Sequence, residues 1–551
     1  MIRGFRGKDR LVLLAILFLS ACGSANNNKA LDNSAASAPG TPTPTSAPSV
    51  SPTSSQTPTS GYDASIGNGV DANGFADLPL APGAHRYFVS SATGSDSNGC
   101  AAAQQPSTPL KSIATAMACV QDGAGDQVLV AERTSYSAGL PSFVGKSGFD
   151  AAHPTVVQSY DPNDALNNTK YGRAAAGNRP IIDAGASGSL LSNGGGSITV
   201  SPKYLAVRGL DFNPGNVPGI GISILPNSSG AVDYVLIENN IFRYEQLIAD
   251  MAMANTKGNH LVIRNNSFFG QWNASAHVQG LYYDNWASAT VEDNVFWHNG
   301  WKIGANRDDT IANGGLVGDD FFRHPIYQQT GADGITRRNL IVDGASDGGQ
   351  YRGNSTVTEN VFIDNPTGIA VGGGTNYDVY RPNGVDLEVS YNAILGDADI
   401  DSNTPRGIGI EASNGRSGSS AHHNLIVRSR NVNGVNNWAF ITSSDKNQPT
   451  YMIWDHNVVY QWTTALQIYI SGGSYPSQDF ATYTNNIWDA ATSGTNTNIA
   501  GRTFPNPYTA AQLYSALGFA DKQAFINYAI EHPETHIQRQ ARTLMFAGYG
   551  M

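Results

Sequence analysis

From residue 211 onward the chain repeats one short phrase: a polar residue, an asparagine, then alternating apolar residues of β type. It reads Glu238-Asn239-Asn240-Ile241-Phe242, Asn265-Asn266-Ser267-Phe268-Phe269 and Asp293-Asn294-Val295-Phe296. It continues through Asn339-Leu340-Ile341-Val342, Asn360-Val361-Phe362, Asn392-Ala393-Ile394, His423-Asn424-Leu425-Ile426, Asn457-Val458-Val459 and Asn486-Ile487-Trp488. The steps between these Asn positions are 26, 28, 45, 21, 32, 32, 33 and 29 residues. Most of them are one coil of a parallel β-helix, and the 45-residue step is one coil with an insert of roughly twenty residues. A β-propeller needs blades of about 40–50 residues, longer than most of these steps. Each coil turns sharply between sheets, and Asn tolerates the left-handed backbone that a turn needs. Stacked Asn amides can also hydrogen-bond from coil to coil, while the apolar residues behind them fill a core along the axis.

The flanks of the repeat fit a capped solenoid. Arg86-Tyr87-Phe88-Val89-Ser90, Gly94-Ser95-Asp96 and Pro109-Leu110-Lys111-Ser112-Ile113-Ala114-Thr115-Ala116 precede a first coil at Gly125-Asp126-Gln127-Val128-Leu129-Val130. This opening resembles that of right-handed β-helix proteins of the pectate-lyase-like superfamily. The resemblance implies an all-β fold, a right-handed parallel β-helix over residues 85–500, begun by a strand and a short capping helix. Residues 505–551 change character: Leu513, Leu517, Phe525, Tyr528, Ala529 and Ile530 recur at helical spacing. Pro533 then separates a last short helix carrying Arg539 and Arg542. These helices are expected to cover the open end of the stack, where unpaired strand edges would invite aggregation.

Composition agrees and adds a compartment. The 551 residues include 60 Gly and 27 Pro, with only 14% charged residues, which argues against coiled coils and helical arrays. The formal charge is −11 with no long basic run, so nucleic acid is not an expected partner. Arg3, Arg6, Lys8 and Arg10 precede the apolar run Leu11 to Leu19, which is too short to span a bilayer and has signal-peptide form. It closes on Leu19-Ser20-Ala21-Cys22, which resembles the bacterial lipoprotein signal and implies that residues 1–21 are removed and Cys22 is lipidated. The alternative is an ordinary secretory signal beside a chance Cys. Gly23-Ser24 lacks the acidic residue of inner-membrane retention, so the expectation is an outer-membrane lipoprotein, periplasmic or cell-surface, membrane-bound through that anchor. Residues 22–60 are Ser-, Thr- and Pro-rich and too poor in apolar surface to fold, which reads as a tether. Of the 3 Cys, Cys100 and Cys119 then remain, as a disulfide stapling the N-terminal cap or as two buried thiols.

A second strand in each coil carries the candidate chemistry. Aligned, these strands are Gly280-Leu281-Tyr282-Tyr283-Asp284, Pro325-Ile326-Tyr327-Gln328-Gln329, Gly348-Gly349-Gln350-Tyr351-Arg352, Gly368-Ile369-Ala370-Val371 and Gly407-Ile408-Gly409-Ile410-Glu411. If Leu281, Ile326, Ile369 and Ile408 face inward, one outward column is Tyr282, Tyr327, Gln350, Ala370 and Gly409. Its neighbour is Asp284, Gln329 and Arg352. Polar side chains beside small residues read as a groove. His277 and His324 sit just before two of these strands. The insert from Lys302 to Phe321, opened by His298-Asn299-Gly300-Trp301, would overhang them, with Trp301 a substrate contact.

The phrases His324-Pro325-Ile326-Tyr327 and Ser346-Asp347-Gly348-Gly349-Gln350-Tyr351-Arg352 are similar to those of bacterial β-helix proteins whose superfamily holds polysaccharide lyases, inverting glycoside hydrolases and uronan epimerases. β-Elimination from a uronate needs the carboxylate neutralised, a base for the C5 proton and an acid for the leaving oxygen. Arg352 with Gln350 fits the first role and His324 the second, its ordinary pKa lying near 6.5. Tyr327 or Tyr282 fits the third, or the base if its pKa is lowered. Substrate contacts are expected from Tyr282, Asp284, His277, Gln329, Gln350 and Trp301. No cofactor is required, although the Asp pairs 308/309 and 319/320 offer oxygen ligands suited to Ca²⁺. The expected activity is cleavage of an acidic polysaccharide by a monomer. An inverting hydrolase using two carboxyl groups, an epimerase, or a surface protein that only binds polysaccharide remain as alternatives.

Overall fold

In the computed structural model the described residues are 61–551 without 139, 144, 184–201, 214–218, 226–231, 253–256, 273–277, 302–322, 374–380, 382, 397–406, 428–437, 445–449, 463, 471–480, 489–496 and 499–503. The leader, Cys22 and the tether therefore lie outside the described residues, as do His277 and the insert with its Asp pairs.

Each turn of the chain contributes three short strands, for example Asn259–Arg264, Ser267–Phe269 and Leu281–Asp284. Equivalent strands pair in parallel from coil to coil and build three long sheets. Among the described residues the first sheet has 13 strands, from Arg86–Val89 to Ala481–Thr484, and the second has 13, from Ser135–Tyr136 to Thr497–Asn498. The third has 9, from Gly219–Ile224 to Thr464–Ile470. The core lies between them. Phe212, Phe242, Phe268 and Phe296 stack in it at 4.8, 4.6 and 4.8 Å, nearly coplanar, because identical residues recur at the coil spacing.

The repeated asparagines form the expected ladder. Asn240, Asn266, Asn294, Asn339, Asn360, Asn392, Asn424, Asn457 and Asn486 are all fully buried. The Asn339 Nδ2 donates to Asn360 Oδ1 at 2.9 Å and to the Val291 carbonyl at 2.9 Å, while the Asn360 Oδ1 also accepts the Asn339 backbone N–H at 2.9 Å. The same pattern repeats along the stack. The left-handed turn residue is not the ladder Asn, however. It is the residue before it: Asn239, Asn265, Asp293, Arg338, Glu359, Tyr391, His423, His456 and Asn485 all have φ between 52 and 60°. The Asn is thus selected for its amide, while the left-handed conformation, costing about 1–2 kcal/mol per residue, falls on its neighbour.

The cap forms as read: Arg86–Val89 opens the first sheet, the helix Ile113–Cys119 is N-capped by Ser112, and Cys100 is disulfide-bonded to Cys119. One element was not read from the sequence, and a second differs from expectation. Residues 62–80 are a strap over the outer face of the first sheet. They are held there by a side-chain ladder in which Arg208, Glu238, Arg264, Glu292 and Arg337 alternate in register. Arg264 bridges Glu238 and Glu292 at 2.8 and 3.1 Å and donates to the Asp63 carbonyl, and Glu238 accepts the Ala76 N–H. The C-terminal helices Ala510–Ala516, Lys522–Glu531 and Ile537–Gly548 lie along the side of the second sheet rather than across the end of the stack. Phe525, Ala529, Ala541 and Met545 cover the outward apolar residues Val295, Leu340, Val361, Ala393 and Leu425. The second sheet is apolar on both faces, and its outer face needs cover.

Candidate active site on the third sheet

The outward column on the third sheet is set by strand register. Ile248 pairs with Tyr282, Tyr282 with Tyr327, Tyr327 with Gln350, and Gln350 with Ala370. The next partner is Glu411, not Gly409, because Ile410 rather than Ile408 lies beside the inward Ile369. The column therefore returns to a charged residue after Ala370. On the inner face, Tyr283, Gln328 and Tyr351 are fully buried, with the Tyr283 hydroxyl 2.9 Å from Gln328 Oε1. Gly349 is required there, since the Tyr351 ring folds back over the place its Cβ would take.

Tyr327 is the hub of the outer face. Its ring lies 5.5 Å from that of Tyr282 and 5.3 Å from that of His324, nearly parallel to both. The Arg352 guanidinium stands 5.0 Å from the same ring centroid, and the Gln329 Nε2 is 3.4 Å from the Tyr327 hydroxyl. Five of the expected site residues thus meet at one ring. Asp284 sits at the end of the Tyr282 strand, where it accepts the Gly331 N–H at 3.0 Å, and Gln350 continues the column beyond Tyr327.

His324 is held from two sides. Its backbone N–H donates to Gln279 Oε1 at 2.6 Å, and its Nδ1 lies 3.5 Å from an Asp347 carboxylate oxygen. His324 and Asp347 are 3% and 5% exposed, so this pair works in a low-dielectric setting. Sequence reading placed Asp347 beside the site without giving it this partner.

The electrostatics assign protons. Burial, and then the carboxylates of Asp250 and Asp284, push the Tyr282 phenol well above its ordinary pKa. Tyr282 therefore stays protonated, which removes the base role and leaves that of a proton donor. Burial, and then the Asp250 carboxylate, raise Asp284 to about 7, and burial raises Asp250 as well. Asp250 pairs with Asp284 across adjacent coils. It was missed in the sequence, although Leu247-Ile248-Ala249-Asp250 repeats the pattern of Leu281-Tyr282-Tyr283-Asp284.

Trp301 is not a substrate contact. It is fully buried, its Nε1 donates to the Asp343 carbonyl at 2.7 Å, and it packs on Ala345 and His298. Among the described residues no group of three or more His, Cys, Asp or Glu side chains is arranged to hold a metal ion.

Three parallel sheets wound into one solenoid, with a polar cluster on the outer wall of one of them, define a right-handed parallel β-helix. The family model described as a right handed beta helix region matches residues 214–383, the coils that carry this cluster. A sequence search of curated proteins finds no match. Among solved structures, a GH136 lacto-N-biosidase from Eubacterium ramulus is 12% identical, with a TM-score of 0.38 over 73% of this chain and 68% of that one. A mannuronic acid specific polysaccharide family 6 lyase from human gut microbiota is 12% identical, with a TM-score of 0.37 over 76% and 94%. An alginate lyase from Paenibacillus sp. str. FPU-7 is 11% identical, with a TM-score of 0.27 over 65% and 97%.

Proposed function

We propose that this protein is a carbohydrate-active enzyme that cleaves a uronic-acid-containing polysaccharide by β-elimination on the outer face of the third sheet. The observation that carries the reading is the convergence of His324, Tyr282 and Arg352 on the Tyr327 ring. The substrate carboxylate sits against Arg352 and Gln350, which lowers the cost of the carbanion formed at C5. His324 takes the C5 proton, and the Asp347 carboxylate beside it stabilises the imidazolium so formed. The electron pair forms the C4–C5 double bond as the C4–O bond breaks. The leaving oxygen takes a proton from the Tyr327 or Tyr282 hydroxyl.

A second reading is hydrolysis, favoured by one observation: Asp284, raised to about 7 beside Asp250, keeps a proton near neutral pH that a glycosidic oxygen can accept. The leader and Cys22 extend the proposal to a lipid-anchored protein of the outer membrane. Fatty-acid labelling that persists in the native chain and vanishes in Cys22→Ser tests that part.

The activity is tested by incubating the protein with a panel of uronic-acid polysaccharides while near-UV absorbance and reducing ends are followed together. Elimination gives both signals, and hydrolysis gives reducing ends alone. Proton exchange at C5 with neither signal would mark an epimerase. Binding without any of the three, unchanged in His324→Ala, would mark a non-catalytic polysaccharide-binding protein.

A further inference from the structure

A second concave site lies away from the third sheet, at the N-terminal end of the first sheet's outer face. Strap residues 76–80 and the turn at 168–173 wall a cavity of about 400 Å³, within the range of small-molecule sites. Three guanidinium groups line it, Arg86, Arg173 and Arg208, against one carboxylate, the exposed Asp77. In a chain of net charge −11 that excess of positive charge is local and built.

Its origin is in the side-chain ladder. From Arg337 toward the N-terminus the ladder alternates Glu292, Arg264, Glu238, Arg208, and there the alternation stops. Gln158 stands where the next carboxylate would be, accepting from Arg208 Nε at 2.7 Å, and Gln158 bonds in turn to Gln127. Gln127 then accepts from Arg86 Nε at 3.2 Å. Two neutral amides thus separate Arg208 from Arg86. Arg208 is 4% exposed and shares Glu238, at 3.4 Å, with the closer Arg264. Its Nη1 is used on Glu238 and the Ala76 carbonyl. Arg86 has no carboxylate partner among the described residues, and the Tyr171 ring, 5.4 Å away, holds its guanidinium in place. Arg173 is matched by Asp71 at 2.5 Å.

We infer that this cavity binds a sugar acid, with the ligand carboxylate between Arg86 and Arg208 and the Asn168 amide and Thr169 hydroxyl on its ring hydroxyls. The guanidinium fork suits a carboxylate. A bare inorganic ion would fill little of the volume, one water in the liquid occupying about 30 Å³. The site stands on the cavity and the ladder, and does not depend on the reaction proposed above.

The test is calorimetric titration of the full chain with galacturonate, galactose and inorganic phosphate, in the native protein, Arg86→Gln, Thr169→Val and Arg352→Gln. Thr169 is exposed, so its variant checks the site without touching the ladder. The expected result is a galacturonate-binding event that galactose does not give. It weakens at least tenfold in Arg86→Gln, weakens in Thr169→Val, and persists in Arg352→Gln. Galacturonate binding that is absent, that is unchanged in both cavity variants, or that is lost only in Arg352→Gln would overturn the inference. So would phosphate binding without galacturonate binding.

Discussion

Glu245 offers a quantitative check on how the solenoid handles a buried charge. It opens the third-sheet strand Glu245–Asp250, is fully buried, and neither carboxyl oxygen has a hydrogen-bond partner among the described residues. Burial, and then the carboxylates of Asp183 and Asp211, raise its pKa from 4.5 to about 8. The folded state therefore holds a proton that the unfolded chain releases first as pH rises. Stability from this group is complete below the unfolded value and is lost as pH climbs from 4.5 to about 8. At about 1.4 kcal/mol per pKa unit, the loss between pH 5 and pH 7 is on the order of 2–3 kcal/mol. Glu245→Gln keeps the shape and cannot ionise. Its own amide carries a pH-independent cost, so the slope rather than the absolute stability is the readout. Denaturant unfolding of both proteins at pH 5, 6 and 7 should give a native protein that loses about 2–3 kcal/mol more than the variant over that range. Asp250 and Asp284 also favour the protonated folded state, but they act equally in both chains and cancel. Parallel pH profiles in the two proteins would refute the reasoning.

Three further outcomes follow. Asn339→Ala should cost about 2–4 kcal/mol of unfolding free energy, because it strips the partners of the Asn294 N–H and the Val291 carbonyl in mid-ladder, read by denaturant midpoint. Cys119→Ala opens a cross-link of sequence separation 19 and should cost about 3 kcal/mol, seen as earlier proteolysis of the cap than in the native chain. Tyr327→Phe keeps the ring that His324, Tyr282 and Arg352 share but removes its hydroxyl. Turnover on a cleaved uronan should fall about 10²–10⁴-fold with KM little changed, whereas a purely structural ring would leave turnover intact.

What the sequence made legible was whatever repeats. The Asn ladder recurs at a fixed place in every coil, so its stacking was visible without coordinates, and the Tyr282–Tyr327–Gln350 column followed from a period of two. Period two also explains the slip at the next coil but one. Ile408 and Ile410 are both apolar with one residue between them, so pattern alone cannot say which faces Ile369, and the register chose Ile410. Features made by single contacts were not legible. Trp301 opens an insert and looks like an exposed platform, yet Ala345 and the Asp343 carbonyl of the following coil bury it. The strap at 62–80 drew no reading, because its bonds to Glu238, Arg264 and Glu292 are made through backbone groups, which carry no sequence signature. The C-terminal helices cover the side of the second sheet rather than its end, and a helical pattern is silent on which apolar surface it will cover.

The central claim is that one outer wall, centred on Tyr327, receives an acidic sugar chain. A crystal structure of His324→Ala with a bound oligouronate tests it most directly. The account predicts sugar density across the third sheet, with a carboxylate in hydrogen-bond reach of Arg352 and a glycosidic oxygen beside the Tyr327 or Tyr282 hydroxyl. An oligouronate that occupies the crystal yet leaves the Tyr327 face bare would contradict it.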